Sequence, residues 1–196
     1  SFPYLDPTTE KITRREALLG VSITGMMDNP DTLFDAEVQR QGAEIVKAVN
    51  KEVAEIIGIN QAARTTCVKP AGSTSCILGT ASGIHPHHAK RYFRRVQANT
   101  QENPVQHFKK CNPRAVEQSV WDPNGVTEVI TFLCEVPSGA KTKNQIDALT
   151  MLENVKLTQQ NWVKHGTNHE LCTQPWLSHN VSNTIHVQPA EWENIT

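Results

Sequence analysis

The residues with the clearest chemical potential are Lys69–Ser75, which read Lys-Pro-Ala-Gly-Ser-Thr-Ser. A β-branched run over residues 64–68 precedes them and an apolar pattern resumes after them, which predicts a strand, a small-residue turn and a helix start. The first N–H groups of a helix have no intrahelical acceptor, and the helix dipole favours negative charge there. Gly72 leaves room for a phosphate beside the backbone, and the hydroxyls and the Lys69 ammonium are further donors. The stretch therefore favours phosphate binding, and the alternative is an ordinary strand-to-helix loop with a Ser/Thr N-cap.

A second candidate is the histidine-rich segment His85–His88, which reads His-Pro-His-His. Histidines this close can share a metal ion, but zinc sites need three or four ligands held in a fixed geometry. No carboxylate lies within ten residues of the segment, Cys76 is the nearest thiol, and Pro86 makes the segment a turn. We therefore expect a loop whose histidines cap or hydrogen-bond, and no metal site.

A basic cluster with interleaved aromatic residues occupies residues 90–95 (Lys-Arg-Tyr-Phe-Arg-Arg). Such a patch is compatible with RNA binding, but it also fits a half-buried segment whose arginines pair with carboxylates. Because the formal net charge is only −1, we expect the structural role and no nucleic-acid partner. Glu128 and Glu135 lie an odd number of positions apart on one predicted strand, so they fall on opposite faces and do not form a paired-carboxylate site.

Composition indicates a globular chain with one domain: 196 residues, 38% hydrophobic and 20% charged. No apolar run reaches the ~20 residues of a membrane-spanning helix, so we expect no membrane partner. The five cysteines are odd in number and lack Cys-x-x-Cys spacing, which predicts reduced thiols and a cytoplasmic location. Cys67 and Cys134 lie in apolar runs and are expected to be packing residues. No signal peptide is visible at Ser1. Because that start lacks Met, we expect a chain that is processed, truncated or one part of something longer.

Apolar patterns predict strands alternating with long helices, which favours an α/β fold with mostly parallel strands. The predicted buried strands cover residues 18–24, 64–68 and 180–187. The sequence Asp-Pro-Asn-Gly at 122–125 predicts a β-hairpin between the strand-like segments 115–121 and 127–136. This hairpin would be an insertion on the α/β fold.

Two long helices are predicted, each with one apolar face toward the core. The first begins within Asp28–Asp31, where a side chain can cap it, and ends at Gly58. Its expected buried face comprises Phe34, Val38, Ile45, Val49, Val53 and Ile56. The second covers residues 144–164, and its expected inward side chains are Ile146, Leu149, Leu152, Val155 and Trp162.

Four sequence segments, spread over nearly the whole chain, resemble motifs of one enzyme family and occur in the same order as in that family. They are Phe2-Pro3-Tyr4-Leu5, Leu18–Asp28, Lys69–Ser75 with 81–86 and 94–96, and Asn161-Trp162-Val163 with 180–184. On these motifs the chain resembles the adenosylcobalamin-dependent, or class II, ribonucleotide reductases, most closely the monomeric ribonucleoside-triphosphate type.

The resemblance implies a ten-stranded α/β barrel with long helices outside, of which residues 1–196 form the C-terminal part, a partial catalytic barrel domain. It implies that the whole enzyme converts a ribonucleotide substrate to a deoxyribonucleotide by thiyl radical chemistry, with adenosylcobalamin as cofactor and an external dithiol reductant. Position 71, usually serine in the family, is alanine here, which removes a hydroxyl but keeps the backbone donors. The resemblance places the substrate phosphates against Ala71, Gly72, Ser73, Thr74 and Ser75.

The chain departs from the family pattern in what it lacks. The family's radical cysteine lies in an Asn-Pro-Cys-Gly-Glu sequence, and no cysteine here has those neighbours. The family's C-terminal redox cysteine pair is also absent. No catalytic residue is therefore assigned to this chain, and a complementary N-terminal reductase section carrying the radical cysteine is the expected partner. The alternative is a non-catalytic nucleotide-binding or partner-binding module derived from a reductase.

Overall fold

The structure is a computed structural model that describes residue 4 and residues 6–195, with the side chain of Ile195 excluded. Of the segment Phe2-Pro3-Tyr4-Leu5, only Tyr4 lies within the described residues. The chain divides into two compact units: one combines the residues up to His87 with those from Pro137 onward, and the other is His88–Val136. No helix of the described residues is long and apolar enough to cross a membrane.

The described elements confirm the mixed helix and strand content. In chain order the helices are α1 (Pro7–Glu16), α2 (Pro30–Leu33), α3 (Ala36–Ile57), α4 (Gly72–Leu78), α5 (Asn103–Cys111), α6 (Ala148–Thr158) and α7 (Trp192–Ile195). The strands are β1 (Val21–Ser22), β2 (Thr66–Cys67), β3 (Arg91–Asn99), β4 (Val116–Gln118) and β5 (Thr127–Glu135). Short 3-10 turns lie at Pro113–Ala115, Lys143–Gln145, His169–Leu171 and Pro189–Glu191, and α6 continues into a π-helical turn, Gln159–Val163.

In the larger unit, β1 and β2 pair in parallel, as expected for an α/β fold, but both strands are shorter than predicted. The prediction of a strand over 180–187 is wrong, because only Val181 forms a bridge, parallel to Val68. The backbone pairs with Val68 through two bonds, from Val68 N to Asn180 O at 3.2 Å and from Ser182 N to Val68 O at 2.8 Å. Other N–H groups there donate to side chains: Val181 N to Gln159 Oε1 at 3.1 Å, and Thr184 N to His85 Nε2 at 2.9 Å.

The core of the larger unit is organised around Trp162, which lies in the π-helical turn and is 5% exposed. Its indole Nε1 donates to Cys67 O at 2.9 Å, and its carbonyl accepts from Thr66 Oγ1 at 2.6 Å. Both bonds tie the turn to β2. The buried core cluster that contains Trp162 also comprises Met26, Met27, Ala43, Val68, Ala81, Ile84, Met151, Val163 and Val181.

The predicted buried face of the first long helix is wrong for most of its residues. The helix is broken at Phe34 and Asp35 into α2 and α3, and Asp35 caps α3 by accepting from Val38 N. The side of α3 that faces the core carries the small residues Gly42 and Ala43, which let the Trp162 ring approach closely. Five apolar side chains of the predicted face are exposed instead and form the α3 stripe: Val38, Ile45, Val49, Val53 and Ile56.

The second long helix is also shorter than predicted, since α6 begins at Ala148 with Asp147 as its N-cap. Trp162 is buried as expected, and Ile146 and Val155 pack against the core. Leu149 and Leu152 are exposed, so their predicted burial is wrong. The residues that α6 buries are Ala148, Met151 and Thr158.

The smaller unit is a three-stranded antiparallel sheet in the order β3-β5-β4, covered by α5. The predicted hairpin is confirmed as β4 and β5, and Gly125 in its turn has a φ of +67° that favours glycine. The strand β3 is not among the strands predicted from the sequence. Phe108 on α5 packs against Phe132 on β5, with 5.4 Å between ring centroids.

Candidate phosphate-binding site

The predicted order of strand, turn and helix start is confirmed at Lys69–Ser75. The backbone leaves β2, passes through the fully buried Val68 and turns at Pro70 and Ala71 before α4 begins. Lys69 N donates to Ser22 Oγ at 2.9 Å, which anchors the entry to the turn on β1. This bond therefore fixes the position of the backbone that leads into the first turn of α4.

These N–H groups are available to a ligand. Gly72, Ser73 and Thr74 are exposed, and within the described part of the chain no acceptor is found for their backbone N–H groups. Ser75 N has a weak bond to Ala71 O at 3.4 Å. A Cβ added at Gly72 would meet no atom within 4 Å, so the backbone faces open space. An oxyanion can approach this turn closely.

The side chains of the turn divide into two groups. Ser75 is buried, and its hydroxyl donates to Ala71 O, so it already has a partner inside the turn. The hydroxyls of Ser73 and Thr74 make no hydrogen bond within the described residues. The ammonium of Lys69 donates to Asn180 Oδ1 at 2.9 Å and thereby connects the turn to the segment near Val181.

Asp28 contacts two residues beyond the C-terminal end of α4, Ala81 and His87, which the sequence pattern does not predict. Asp28, which lies in the predicted helix start, accepts from Ala81 N at 3.0 Å and lies 2.5 Å from His87 Nε2, while the N-cap of α2 is Asn29. No local pattern signals these contacts, because the partners are separated by 53 and 59 positions in the sequence.

The histidines of His85–His88 hydrogen-bond separately, as expected. His85 Nδ1 lies 3.0 Å from Ser82 O and its Nε2 accepts from Thr184 N, whereas His87 contacts Asp28. Among the residues that the structure describes, no group of three or more His, Cys, Asp or Glu side chains comes together.

The arginines of the basic cluster pair with carboxylates across the sheet of the smaller unit. Arg91 lies 2.8 Å from Glu135, and Arg95 lies 3.1 Å from Glu117. The buried Glu128 contacts Lys109, on the face opposite to Glu135. The expected pairing of the arginines with carboxylates and the opposite placement of the two glutamates are confirmed, but Arg91 and Arg95 are exposed and not half-buried as expected.

The five cysteines are free thiols. Cys67 is buried as expected, whereas Cys134 is only half-buried. Burial raises the pKa of the Cys67 thiol against a smaller opposing effect of Lys69, and burial also raises the pKa of Cys172. These two thiols are therefore disfavoured as thiolates. Cys76 and Cys111 are exposed.

Comparisons with known proteins agree with the resemblance seen in the sequence. An adenosylcobalamin-dependent ribonucleoside-triphosphate reductase from Lactobacillus helveticus is 25% identical over 144 residues, 66% of this chain and 18% of the relative. A probable enzyme of the same name from Dictyostelium discoideum is 22% identical over 176 residues, 85% of this chain and 22% of the relative. The chain thus spans about a fifth of these curated relatives. No family model matches the chain.

A solved structure described as a B-12 dependent (class II) ribonucleotide reductase is similar to this chain in fold. The TM-score is 0.72 at 16% sequence identity, and the match covers 96% of this chain and 28% of the solved chain. The similar region is therefore nearly all of this chain and a minor part of the larger one.

Proposed function

We propose that this chain is the substrate-phosphate-binding section of an adenosylcobalamin-dependent ribonucleotide reductase. The observation that carries the proposal is the fold match to a class II reductase over 96% of the chain. In the proposed enzyme, β1, β2 and the residues around Val181 belong to the wall of a ten-stranded α/β barrel. The whole enzyme converts ribonucleotides to deoxyribonucleotides by thiyl radical chemistry in the cytoplasm.

The proposed contact with substrate is the turn Ala71–Ser75. Its support is the set of exposed N–H groups at Gly72, Ser73 and Thr74, which lack acceptors within the described residues. Backbone donors to a charged oxygen are stronger than neutral hydrogen bonds, and each contributes roughly 1.5–3 kcal/mol. Ala71 has no side-chain hydroxyl, so its proposed contact with phosphate is through its backbone. Ser75 is also proposed to contact phosphate through its backbone, because its hydroxyl already donates to Ala71 O.

Replacing Gly72 with valine is expected to weaken binding of a ribonucleoside triphosphate at least about tenfold, equivalent to ~1.4 kcal/mol. The new side chain would occupy the open space beside the backbone, where the phosphate is proposed to lie. Gly72 does not have a positive φ and its added Cβ meets no protein atom, so the fold should tolerate the change. Isothermal titration calorimetry measures the affinity.

Ile77→Ala is the matched control for Gly72→Val, because Ile77 lies on the same short helix but is 84% exposed and beyond the proposed phosphate contacts. Its affinity should equal that of the unchanged protein. If a folded Gly72→Val variant binds the nucleotide as tightly as the unchanged protein does, the turn is not the phosphate-binding site.

Adenosylcobalamin is proposed as a cofactor of the whole enzyme. When bound, it supplies the radical that starts the reaction. The described residues include no gathered set of three or more metal-ligating side chains, and none of them is assigned a corrin contact. The residues of this chain are therefore proposed to bind and orient substrate phosphates, and the radical cysteine is proposed to come from a complementary N-terminal reductase section.

A reductase assay separates this proposal from the alternative of a non-catalytic nucleotide-binding module. The chain is mixed with a section carrying the Asn-Pro-Cys-Gly-Glu sequence, adenosylcobalamin, a dithiol reductant and ribonucleoside triphosphate. Deoxyribonucleotide formed only when both sections are present supports the reductase. Nucleotide binding without any turnover in the assembled complex supports the module.

The isolated chain is expected to self-associate or bind a complementary section through the α3 stripe. Ile45 and Ile56 on the stripe are 63% and 75% exposed, and contiguous exposed apolar side chains are typical of an interaction surface. Light scattering should detect species larger than the monomer, and a double change of Ile45→Lys and Val49→Lys should reduce them. A monodisperse unchanged chain that binds no hydrophobic dye would contradict this expectation.

A further inference from the structure

The helix α4 is held by its ends and not by packing along its length. Of its residues only Ser75 is buried. With seven residues it is well below the roughly 12–15 residues at which isolated helices become marginally stable in water. Its position must therefore be fixed by the chain that enters it, at Lys69, and by the chain that leaves it.

The exit from α4 is fixed at Ala81 by three hydrogen bonds from the segment Thr24–Asp28. Ala81 N donates to Asp28 Oδ2 at 3.0 Å. Ala81 O accepts from Gly25 N at 2.9 Å and from Thr24 Oγ1 at 3.0 Å. Thr80 N, one residue earlier, donates back to Ser75 O at 3.0 Å. Movement of Ala81 would therefore be transmitted to α4.

The carboxylate of Asp28 is itself held in place by His87. Its Oδ1 lies 2.5 Å from His87 Nε2, and the side chains of Asp28 and His87 are only 14% and 4% exposed. The backbone of His87 is fixed on both sides, because its N–H donates to Lys141 O at 3.0 Å and its carbonyl accepts from Lys143 N at 2.8 Å. A continuous series of bonds thus runs from residues 141–143 to the exit of α4.

We propose that Asp28, oriented by His87, is a positioning residue for the phosphate site. It acts through Ala81 and sets the direction in which the N–H groups of Gly72, Ser73 and Thr74 point. This inference rests on the phosphate site proposed above. Asp28 does not itself contact substrate, and its effect is on the geometry of the donors that do.

Inorganic tripolyphosphate is the probe, because it reports phosphate binding without any contribution from a base or ribose. Asp28→Ala, which removes both the bond to Ala81 N and the contact with His87, is expected to weaken tripolyphosphate binding about tenfold. Asp28→Asn is the conservative variant. Its amide oxygen can accept from Ala81 N and its NH2 can donate to the unprotonated His87 nitrogen, so the affinity should return to within about threefold of the unchanged protein.

Asp147→Ala is the matched control, since Asp147 also accepts a backbone N–H bond, from Thr150, but caps α6 away from the proposed site. It should lower stability and leave the tripolyphosphate affinity unchanged, which separates positioning from general loss of stability. Thr24→Val removes the hydroxyl that bonds both Ala81 O and Gly83 N, and it serves as the second variant if Asp28→Ala does not fold.

The outcomes distinguish the inference from the proposed function. Weaker binding by Asp28→Ala or Thr24→Val, recovery in Asp28→Asn and no change in Asp147→Ala support the positioning role. Unchanged tripolyphosphate affinity in the folded Asp28→Ala or Thr24→Val protein overturns that role while the phosphate site stands. No tripolyphosphate binding by the unchanged protein overturns the phosphate site and this inference with it.

Discussion

Replacing Arg64 with methionine is expected to destabilise the larger unit by about 3–5 kcal/mol, because it leaves a buried carboxylate without its cation. Arg64 Nη1 lies 2.6 Å from Glu16 Oε2, and both side chains are 8% exposed. The guanidinium also donates to Leu177 O and Gln174 O, each at 3.1 Å. One side chain therefore joins the end of α1, the start of the β2 segment and the chain beyond Cys172. Urea unfolding followed by circular dichroism measures the loss.

Arg14→Met is the matched control, since Arg14 forms an ion pair with Glu10 at 2.8 Å but is 71% exposed. Exposed pairs of this kind contribute at most about 1 kcal/mol, so the two arginine variants should differ clearly. A double variant, Glu16→Gln with Arg64→Met, should recover at least about 1 kcal/mol relative to Arg64→Met, because no buried charge remains. Equal losses in Arg64→Met and Arg14→Met would contradict the proposed role of the buried pair.

The same pair predicts a loss of stability in acid. Burial acts to raise the pKa of Glu16, but the hydrogen bond from Thr173 N and the ion pair with Arg64 together outweigh it, so the pKa is lowered in the folded state. A lowered folded-state pKa means that the ionised carboxylate stabilises the fold at neutral pH. That contribution begins to fall as the pH approaches the ordinary glutamate pKa of ~4.3 and is lost below the lowered folded value.

The parts of the fold that sequence predicted well are those fixed by neighbouring residues. The order of strand, turn and helix start around Gly72 follows from a β-branched run, a proline and small residues within about a dozen positions. The hairpin turn at 122–125 is equally local, since Asp122 accepts from the N–H groups of Asn124 and Val126. Such signals need no knowledge of distant segments.

The features that sequence predicted poorly depend on which distant segments pack against each helix face. The apolar periodicity correctly predicts that α3 has one apolar face. It does not determine whether that face packs against other residues of this chain. In the structure, Gly42 and Ala43 meet Trp162, while Ile45 and Ile56 are exposed. The turn that we propose to bind phosphate is predicted from its own residues, whereas its proposed support by Asp28 depends on a pairing across 53 positions that no periodicity encodes.

Replacing Gly166 with alanine is expected to cost about 3 kcal/mol or more, at the upper end of what overpacking a core produces. An added Cβ would overlap Thr66 Oγ1 and lie 2.8 Å from Thr66 Cγ2. Thr66 is 1% exposed and cannot turn away freely, because its hydroxyl donates to Trp162 O at 2.6 Å. Thermal and urea unfolding would both show the loss.

The backbone at Gly166 has no freedom to relieve this contact. Its N–H donates to Trp162 O at 3.1 Å, and its carbonyl accepts from Thr65 N at 3.0 Å and from Thr65 Oγ1 at 2.8 Å. Withdrawal of the glycine would break the bonds that join the end of the π-helical turn to the segment leading into β2. Gly166 is therefore required for the close approach of its backbone to the Thr66 side chain, and not for an unusual φ.

Two further variants test this explanation directly. Gly72→Ala adds the same methyl group where no atom lies within 4 Å, so its unfolding free energy should change by less than about 1 kcal/mol. Thr66→Ala combined with Gly166→Ala removes the two closest side-chain atoms, and the pair should be more stable than the sum of the single losses by at least about 1 kcal/mol. Additive losses would mean that Thr66 is not the obstacle. If Gly166→Ala is tolerated, the Thr66 side chain does not lie close enough to Gly166 to exclude a methyl group, and the explanation is wrong.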